Sequence, residues 1–381
     1  MRFLQAERVF DGHRFLSGDS VLVVNENNAY MEIIPANTVD TGKVEKLKGV
    51  ITPGFINAHC HLELSHLKGQ IPTKTGLPAF GQQIITKRDA FTIEEATEKM
   101  QDADKEMWEN GIVAVGDICN TSVSFKVKSK SNLFYHSFIE LLGLHPERAT
   151  VAFNNGVIIW DELINSGLRG SLAPHAPYST SLELIQKIAE FNTEANLPSS
   201  IHSQESEDEY KFFHGMKNGF DDLYRFLKMD IAWFKPPMRR SLEYYIGSLL
   251  KQKTLLVHNT FTSEKDIALT QNKNIYWCFC PGANLYIENR LPDYALFAGK
   301  EFCLGTDSLA SNTQLNIISE ANIVLEKSLF SIEEVLKSIT STPAQFLNIS
   351  GSFGGLIKNR NAGLNLIDIK NNQISFIKKV S

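Results

Sequence analysis

The sequence of 381 residues contains little cysteine, no long apolar run and no marked excess of either charge. Its five cysteines form no Cys-x-x-Cys pair and lie in apolar stretches, which favours reduced core thiols in a cytoplasmic protein over a disulfide framework. We find no run of about 18 apolar residues and no signal-peptide pattern, so we expect no membrane association. The net charge of −5 gives no reason to expect a nucleic-acid partner.

The two ends of the chain differ in pattern from its middle. Short runs that alternate apolar and polar residues predict strands at 21–24, 30–34, 363–369 and 373–377. The length exceeds what one small core usually accommodates. We therefore predict a small β-sandwich domain formed from residues 1–50 and 350–381, and a larger domain over residues 51–349.

The middle of the chain alternates apolar, β-branched runs with helical patterns. The apolar runs lie near residues 50–58, 111–118, 133–142, 168–173, 198–202, 254–258, 274–280 and 301–305. The helical patterns lie at 92–110, 181–196, 263–271 and 331–347. Strands that alternate with helices imply a parallel sheet, and eight such units predict an α/β fold with a (β/α)₈ TIM barrel. A doubly wound sheet is the competing architecture, because strand number alone does not separate the two.

Two histidines separated by one residue follow the first apolar run. Side chains in a strand alternate between its faces, so His59 and His61 point the same way. Buried imidazoles need partners, and one metal ion satisfies two of them at once. The pattern therefore predicts a metal site at the end of this strand.

Polar residues end most of the other predicted strands as well. They are Asp117, Glu140, His175, His202, His258 and Asp307. Active sites of (β/α)₈ enzymes lie at the carboxyl ends of the strands, and ten histidines placed at random would rarely put five there. His202 and Asp307 would complete, with the first pair, a site for Zn²⁺ or Fe²⁺ that leaves a position open for water.

Three further strand-end residues are candidates for catalysis or substrate binding. Glu205 lies three residues after His202, where its carboxyl could take a proton from metal-activated water and pass it to a leaving group. The alternative for Glu205 is a solvated loop acid, since three acidic residues follow it. His258 is expected to ligate the metal or to hydrogen-bond the water, and His175 is expected to contact substrate.

The stretch 215–240 is the most irregular part of the chain and is rich in aromatic residues and proline. Such an insertion could cover an active site, because functional loops tend to project from a rigid scaffold. A surface excursion with its own small core is an equally good interpretation.

These motifs resemble the amidohydrolase superfamily, in particular its cytosine-deaminase-like and chlorohydrolase-like branch. The resemblance covers nearly the whole chain and rests on Pro53-Gly-Phe-Ile-Asn-Ala-His-Cys-His61, His202-Ser-Gln-Glu205, Val257-His-Asn259, Cys280-Pro-Gly-Ala-Asn284 and Gly305-Thr-Asp-Ser308. It implies one metal held by His59, His61, His202 and Asp307. It also implies that Glu205 shuttles protons, that His258 orients and polarises the attacking water, and that Asp307 acts with His258 in catalysis by holding the resulting hydroxide.

The same resemblance bears on metal number and metal type. Binuclear members of the superfamily use a carboxylated lysine from a barrel strand, and no lysine ends a predicted strand here. One divalent metal per chain is therefore expected, with zinc ahead of iron.

The reaction that the resemblance implies is hydrolytic deamination of an amidine-like ring carbon, with release of ammonia. The segment His61-Leu-Glu-Leu-Ser65 is similar to aminodeoxyfutalosine deaminases, which makes Glu63 and Ser65 candidate substrate contacts. The expected substrate is thus a small molecule, 6-amino-6-deoxyfutalosine or another adenine nucleoside.

Two other functions remain open from the sequence. One is hydrolysis of a cyclic amide or a C–Cl bond at the same centre. The other is an inactive metal-binding relative, against which Glu205 argues because metal binding alone does not require it. A homodimer is compatible with the sequence but not required by it.

Overall fold

The computed structural model describes residues 1–17, 19–27 and 29–380. The strands are β1 Arg2–Val9, β2 Ser20–Val24, β3 Tyr30–Pro35, β4 Val44–Pro53, β5 Phe55–Cys60, β6 Ile112–Cys119, β7 Phe134–Leu141, β8 Arg169–Pro174, β9 Ser199–Ser203, β10 Thr254–His258, β11 Ile275–Phe279, β12 Phe302–Leu304, β13 Leu364–Lys370 and β14 Gln373–Lys379. The α-helices are α1 Leu77–Lys87, α2 Ile93–Glu109, α3 Phe125–Lys128, α4 Ala149–Asn165, α5 Leu182–Glu194, α6 Glu207–Phe213, α7 Phe220–Phe226, α8 Ser241–Tyr245, α9 Glu264–Leu269, α10 Pro281–Ile287, α11 Ile317–Lys327, α12 Ile332–Ser338 and α13 Ser341–Phe346. Short 3₁₀ helices lie at Ala36–Thr38, Thr41–Lys43, Leu62–Leu67, Arg88–Ala90, Pro146–Arg148, Ile246–Ser248 and Tyr294–Phe297.

Both ends of the chain contribute strands to one six-stranded sheet, in the order β14-β13-β4-β1-β2-β3. The four strands predicted near the termini are confirmed as β2, β3, β13 and β14. Asn371 and Asn372 connect β13 to β14 with φ values of 51° and 59°, which asparagine tolerates and a two-residue hairpin requires. The separation of these strands into a β-sandwich domain stays a prediction.

The first predicted strand of the middle region is divided in the structure. Residues up to Pro53 belong to β4 in the six-stranded sheet, whereas β5 begins at Phe55 in a different sheet. A Cβ atom on Gly54 would lie 2.4 Å from Cγ1 of Val113 and 2.8 Å from the carbonyl oxygen of Ala362. The chain therefore passes from one sheet to the other at a position where only glycine fits. The prediction of one continuous strand over 50–58 was wrong, because the strand is interrupted at Gly54.

The eight strands predicted in the middle of the chain are present as β5 to β12. They form two four-stranded sheets, β5-β6-β7-β8 and β12-β11-β10-β9, whose paired strands are all parallel. The edges of the two sheets meet near their carboxyl ends, where the His202 amide donates to the His175 carbonyl at 2.9 Å. On the other side, the Asp307 amide donates to the His59 carbonyl at 3.1 Å. The predicted α/β class with parallel sheets is confirmed.

Three of the four predicted helices, at 92–110, 181–196 and 263–271, are present as α2, α5 and α9, with ends within two residues of those predicted. Capping boxes begin α2 at Thr92 and α12 at Ser331, as their sequences indicate. The pattern at 331–347, however, is two helices rather than one. Pro343 has no N–H for an i→i−4 bond and its ring would clash within a continuous helix, so α12 ends at Ser338 and α13 begins at Ser341.

The five cysteines are buried and free, in agreement with the prediction of reduced core thiols. Within the residues that the structure describes, every helix is too short or too polar to cross a lipid bilayer.

Candidate active site

Three histidine rings converge at the carboxyl ends of β5 and β9. The Nε2 atom of His61 lies 3.2 Å from that of His59 and 3.3 Å from that of His202. The Oδ1 atom of Asp307 lies 3.6 Å from Nε2 of His59 and 3.4 Å from Nε2 of His61. The structure thus gathers the four predicted ligands, which we call the donor set, around one point.

The donor set has the geometry and chemistry of a divalent metal site. Donors at about 2.1 Å from a tetrahedral ion are about 3.4 Å apart. The separations of His61 from the other three donors, and of Asp307 from His59, run from 3.2 to 3.6 Å. A neutral imidazole has a single N–H, so three nitrogens that face one another cannot all be satisfied by their own protons. A cation resolves this arrangement, and imidazole with carboxylate suits zinc or iron.

Neighbouring groups orient two members of the donor set. The Nδ1–H of His202 donates to the His175 carbonyl at 2.8 Å, which leaves the Nε2 lone pair for the centre. The Ser311 hydroxyl donates to Oδ2 of Asp307 at 2.5 Å, which leaves Oδ1 for the centre. Burial alone would raise the pKa of Asp307, but the hydrogen bond with His59 and the adjacent imidazoles hold it well below its ordinary range.

A close backbone approach brings Asp307 to the strand that carries His59. A Cβ atom on Gly305 would lie 2.7 Å from Cβ of His59 and 2.8 Å from its carbonyl oxygen. Glycine therefore permits the amides of Thr306 and Asp307 to donate to that carbonyl. Asn57 reinforces the contact, because its side chain bonds both the amide and the hydroxyl of Thr306 at 3.1 and 2.8 Å.

Glu205 and His258 face each other beside the donor set. The Oε1 atom of Glu205 lies 3.5 Å from Nε2 of His258, and the two residues are 4% and 1% exposed. The Nδ1 of His258 is 2.8 Å from Oδ1 of Asn284, so Nδ1 carries the proton and Nε2 keeps its lone pair. Burial raises the pKa of Glu205 well above its usual value and lowers that of His258 to about 4. Burial thus strengthens Glu205 as a proton acceptor and keeps His258 neutral.

His258 also lies within reach of the centre itself. Donor atoms of His59, His258 and Asp307 are all within 4.8 Å of one another, as are those of His59, His61 and His202. Both roles that the sequence allows for His258, metal ligand and partner of the water, remain compatible with its position.

The predicted substrate contacts differ in their surroundings. His175 is partly exposed, bonds Ser179 through Nδ1 at 2.6 Å, and has its ring 5.0 Å from that of His202. It therefore lies next to the donor set.

Glu63 and Ser65 are instead engaged within the protein. The Glu63 carboxylate accepts hydrogen bonds from the Asn120 amide and from the hydroxyls of Thr121 and Ser124, at 3.1 to 3.2 Å. The Ser65 hydroxyl is buried and donates to the Leu62 carbonyl at 2.7 Å. Their role as substrate contacts stays a prediction.

A buried ion pair between β6 and α3 was not predicted from the sequence. Nζ of Lys128 lies 2.6 Å from Oδ2 of Asp117, and both side chains are fully buried. The other carboxylate oxygen of Asp117 accepts the Leu62 amide at 2.8 Å and so fixes the chain just after His61. Asp117 was visible as a strand-end acid, but Lys128 lies on α3, where no local pattern marks it.

The roles of Asn284 and Ser311, which bond His258 and Asp307, were also not predicted from the sequence. Asn284 stands at the end of the quoted Cys280 motif, which was the available signal for it. Ser311 follows Asp307 by four residues and had no signal, because only the fold of the loop turns its hydroxyl back onto the carboxylate.

The 215–240 insertion packs over the loops at the carboxyl ends of β7 and β8. The ring of Trp233 lies 4.6 Å from that of His145, and Phe220 stacks on Tyr178 at 4.3 Å. The Tyr224 hydroxyl donates to the Tyr178 carbonyl. These contacts favour a cover for the strand ends over a separate surface excursion.

A buried metal-type donor set with an adjacent acid–base pair, at the carboxyl ends of parallel strands, defines the hydrolase-type architecture that the sequence motifs suggested. Residues 50–380 match the profile of the Amidohydrolase family, and the chain belongs to this family. The chain is 27% identical to an aminodeoxyfutalosine deaminase from Deinococcus radiodurans over 290 residues, which cover 72% of this chain and 68% of the relative.

Two solved structures are similar in fold. One is Helicobacter pylori aminofutalosine deaminase in complex with methylthio-coformycin, with a TM-score of 0.84, 23% identity, and coverage of 97% of this chain and 93% of that one. The other is an adenosine deaminase from Xanthomonas campestris with bound zinc, with a TM-score of 0.74, 18% identity, and coverage of 97% and 85%.

Proposed function

We propose that the protein is a metal-dependent hydrolytic deaminase that acts on an adenine nucleoside and releases ammonia. The observation that carries this proposal is the buried Glu205–His258 pair beside the donor set. The names of the relatives from Deinococcus radiodurans, Helicobacter pylori and Xanthomonas campestris support the substrate class. Among adenine nucleosides, 6-amino-6-deoxyfutalosine is the best single candidate.

The proposal includes the architecture that holds the site. We infer that the two four-stranded sheets form one (β/α)₈ barrel within residues 51–349, closed where His202 meets His175 and Asp307 meets His59. Residues 1–50 and 350–381 would form the small β-sandwich domain, for which the six-stranded sheet drawn from both termini is the support. A cytoplasmic location and a homodimer stay predictions.

The donor set would hold one divalent metal, with zinc ahead of iron. Zinc is supported by the donor chemistry and by the zinc in the Xanthomonas campestris structure. When bound, such a metal lowers the pKa of a water molecule and so supplies the nucleophile at neutral pH.

Residues of this chain then orient the water and carry out the proton transfers. The neutral Nε2 of His258 accepts a hydrogen bond from the attacking water and orients it, while Asn284 keeps the imidazole in the required tautomer. Glu205 takes a proton from the water and places it on the ring nitrogen next to the attacked carbon. Glu205 then moves the second proton to the amino group, the C–N bond breaks, and ammonia leaves.

The substrate ring would lie against His175, which is next to the donor set and partly exposed. Glu63 and Ser65 remain candidate contacts with weaker support, because their polar atoms already have partners within the protein.

Ammonia release from a panel of ring compounds tests the proposal. The panel contains adenosine, 5′-deoxyadenosine, methylthioadenosine, 6-amino-6-deoxyfutalosine, guanine and cytosine, with the metal-loaded protein and its Glu205→Gln variant as a control. We expect turnover of at least one adenine nucleoside by the unaltered chain alone. No turnover of any panel member, together with hydrolysis of cyclic amides or C–Cl compounds, would overturn it.

A further inference from the structure

The Glu205 loop, residues 204–206 between β9 and α6, rests on the carboxylate of Glu209. The Gln204 amide donates to Oε1 of Glu209 at 3.0 Å, and the Glu205 amide donates to Oε2 at 3.3 Å. The Ser241 hydroxyl, at the start of α8, also donates to Oε1. Glu209 is 1% exposed, so one buried carboxylate holds two successive amides of the loop.

The Glu205 loop needs such support because of its backbone conformation. Gln204 has a φ of 52°, in the left-handed region that a residue with a side chain seldom adopts. Such a conformation persists where the surrounding structure holds it. Gln204 is also held by the loop after β10: the Phe261 amide donates to its carbonyl at 2.9 Å, and the Thr262 hydroxyl donates to its side-chain oxygen at 2.6 Å.

We propose that Glu209 is a positioning residue that sets the direction of the Glu205 side chain toward His258, and that Ser241 ties the end of the 215–240 insertion to it. This proposal rests on the proposed role of Glu205 in proton transfer. Among the residues that the structure describes, Glu209 makes no hydrogen bond or ion pair with the donor set, so its effect on turnover would pass through the Glu205 loop.

A carboxylate is the group that this position requires. Two amides and one hydroxyl all offer hydrogens, and an ionised carboxylate presents acceptors to all of them. An amide side chain presents one oxygen and one NH₂ group, so at least one loop amide would meet another donor. Because burial raises the pKa of Glu209 to about 7, the assays belong at about pH 8.5, where the carboxylate is ionised.

The first experiment compares Glu209→Gln with Glu207→Gln in the metal-loaded protein. Glu207 lies on the same helix but is exposed and pairs with Lys211 at 2.7 Å, which makes it the matched control. We expect Glu209→Gln to lower kcat about 10- to 100-fold with KM nearly unchanged and the metal content retained, while Glu207→Gln stays near the unaltered protein. Unchanged kcat in Glu209→Gln would overturn the proposal.

A double-mutant cycle separates positioning from a general structural effect. If Glu209 acts through Glu205, adding Glu209→Gln to a Glu205→Gln variant costs no further activity. A further loss as large as that of the single Glu209→Gln variant would contradict action through Glu205. Ser241→Ala removes only one donor and provides a milder variant, expected to lower kcat by a few-fold, should Glu209→Gln fail to fold.

Hydrogen exchange provides a readout that does not depend on turnover. The amides of Gln204 and Glu205 should exchange faster in Glu209→Gln than in Glu207→Gln, because they lose their acceptor. Equal exchange in the two variants would contradict the proposed support. Absence of deaminase activity in the unaltered protein would defeat the proposed function, whereas the exchange result would still decide whether Glu209 holds the loop.

Discussion

The carboxyl oxygen of Glu205 lies 3.5 Å from Nε2 of His258, although 53 positions separate the two residues in the sequence. Burial pushes their proton affinities in opposite directions, upward for the pKa of the acid and downward for that of the imidazole. A raised pKa makes Glu205 a better acceptor for a proton from water, and a lowered pKa keeps His258 neutral, so that its Nε2 can accept a hydrogen bond from the same water.

Glu205→Gln should remove most of the turnover and keep the metal. The amide fills the same space but cannot carry a proton between water and substrate, so we expect a loss of about 10²–10⁴-fold in kcat. Elemental analysis of the purified variant and an ammonia assay check the two halves of the prediction. Loss of metal with part of the activity retained would assign Glu205 a different role.

Substitution of Asn284 should alter the pH dependence through His258. The pKa of His258 is lowered to about 4, so its neutral form persists down to about that pH, and the acid limb of kcat from this group should lie there. Asn284→Asp places a carboxylate beside Nδ1 of His258, which favours the imidazolium and should move this limb to higher pH. Asn284→Ala removes the partner of Nδ1 and should lower kcat about 10- to 100-fold. A limb that stays in place in Asn284→Asp would argue against this role of His258.

The donor set should bind one metal ion per chain. Asp307→Asn and His61→Ala each remove a strong ligand and should reduce metal content and activity together. Elemental analysis of the unaltered protein, before and after dialysis against a chelator, gives the stoichiometry. Two tightly held ions per chain would be incompatible with a mononuclear centre.

Lys128→Met should destabilise the fold by about 3–5 kcal/mol, because it leaves Asp117 charged and buried without its partner. Adding Asp117→Asn should recover part of that loss, since the second change removes the stranded charge. Denaturant unfolding of the two variants measures the difference. A Lys128→Met variant as stable as the unaltered protein would contradict a stabilising role for this ion pair.

His136 should make the protein less stable in acid. The ring of His136 is buried and lies 2.9 Å from the Ser171 hydroxyl, and burial lowers the pKa of the histidine to about 3. The unfolded chain binds a proton at this histidine below about pH 6.5, whereas the folded chain does so only near 3. Stability is therefore lost as pH falls through that interval. His136→Gln should show a shallower fall of Tm between about pH 6.5 and 4, and an identical slope would rule this histidine out as a cause.

The sequence by itself determined the features that depend on local periodicity and local hydrogen bonds. His59 and His61 share a strand face because side chains alternate with a period of two. Thr92 and Ser331 begin helices because their hydroxyls bond amides three residues later. The strands near the termini and the polar residues at the strand ends followed from the same short-range patterns.

Only the tertiary structure decided which distant groups meet. The passage at Gly54 depends on Val113 and Ala362, and the hydrogen bond that ties Glu209 to α8 depends on Ser241, 32 residues later. No short-range pattern marks these contacts, because they arise when packed strands and loops leave a buried acceptor or a narrow gap that one particular residue fills. The sequence thus indicated the chemistry at the strand ends, while packing decided which residues position the side chains that carry it out.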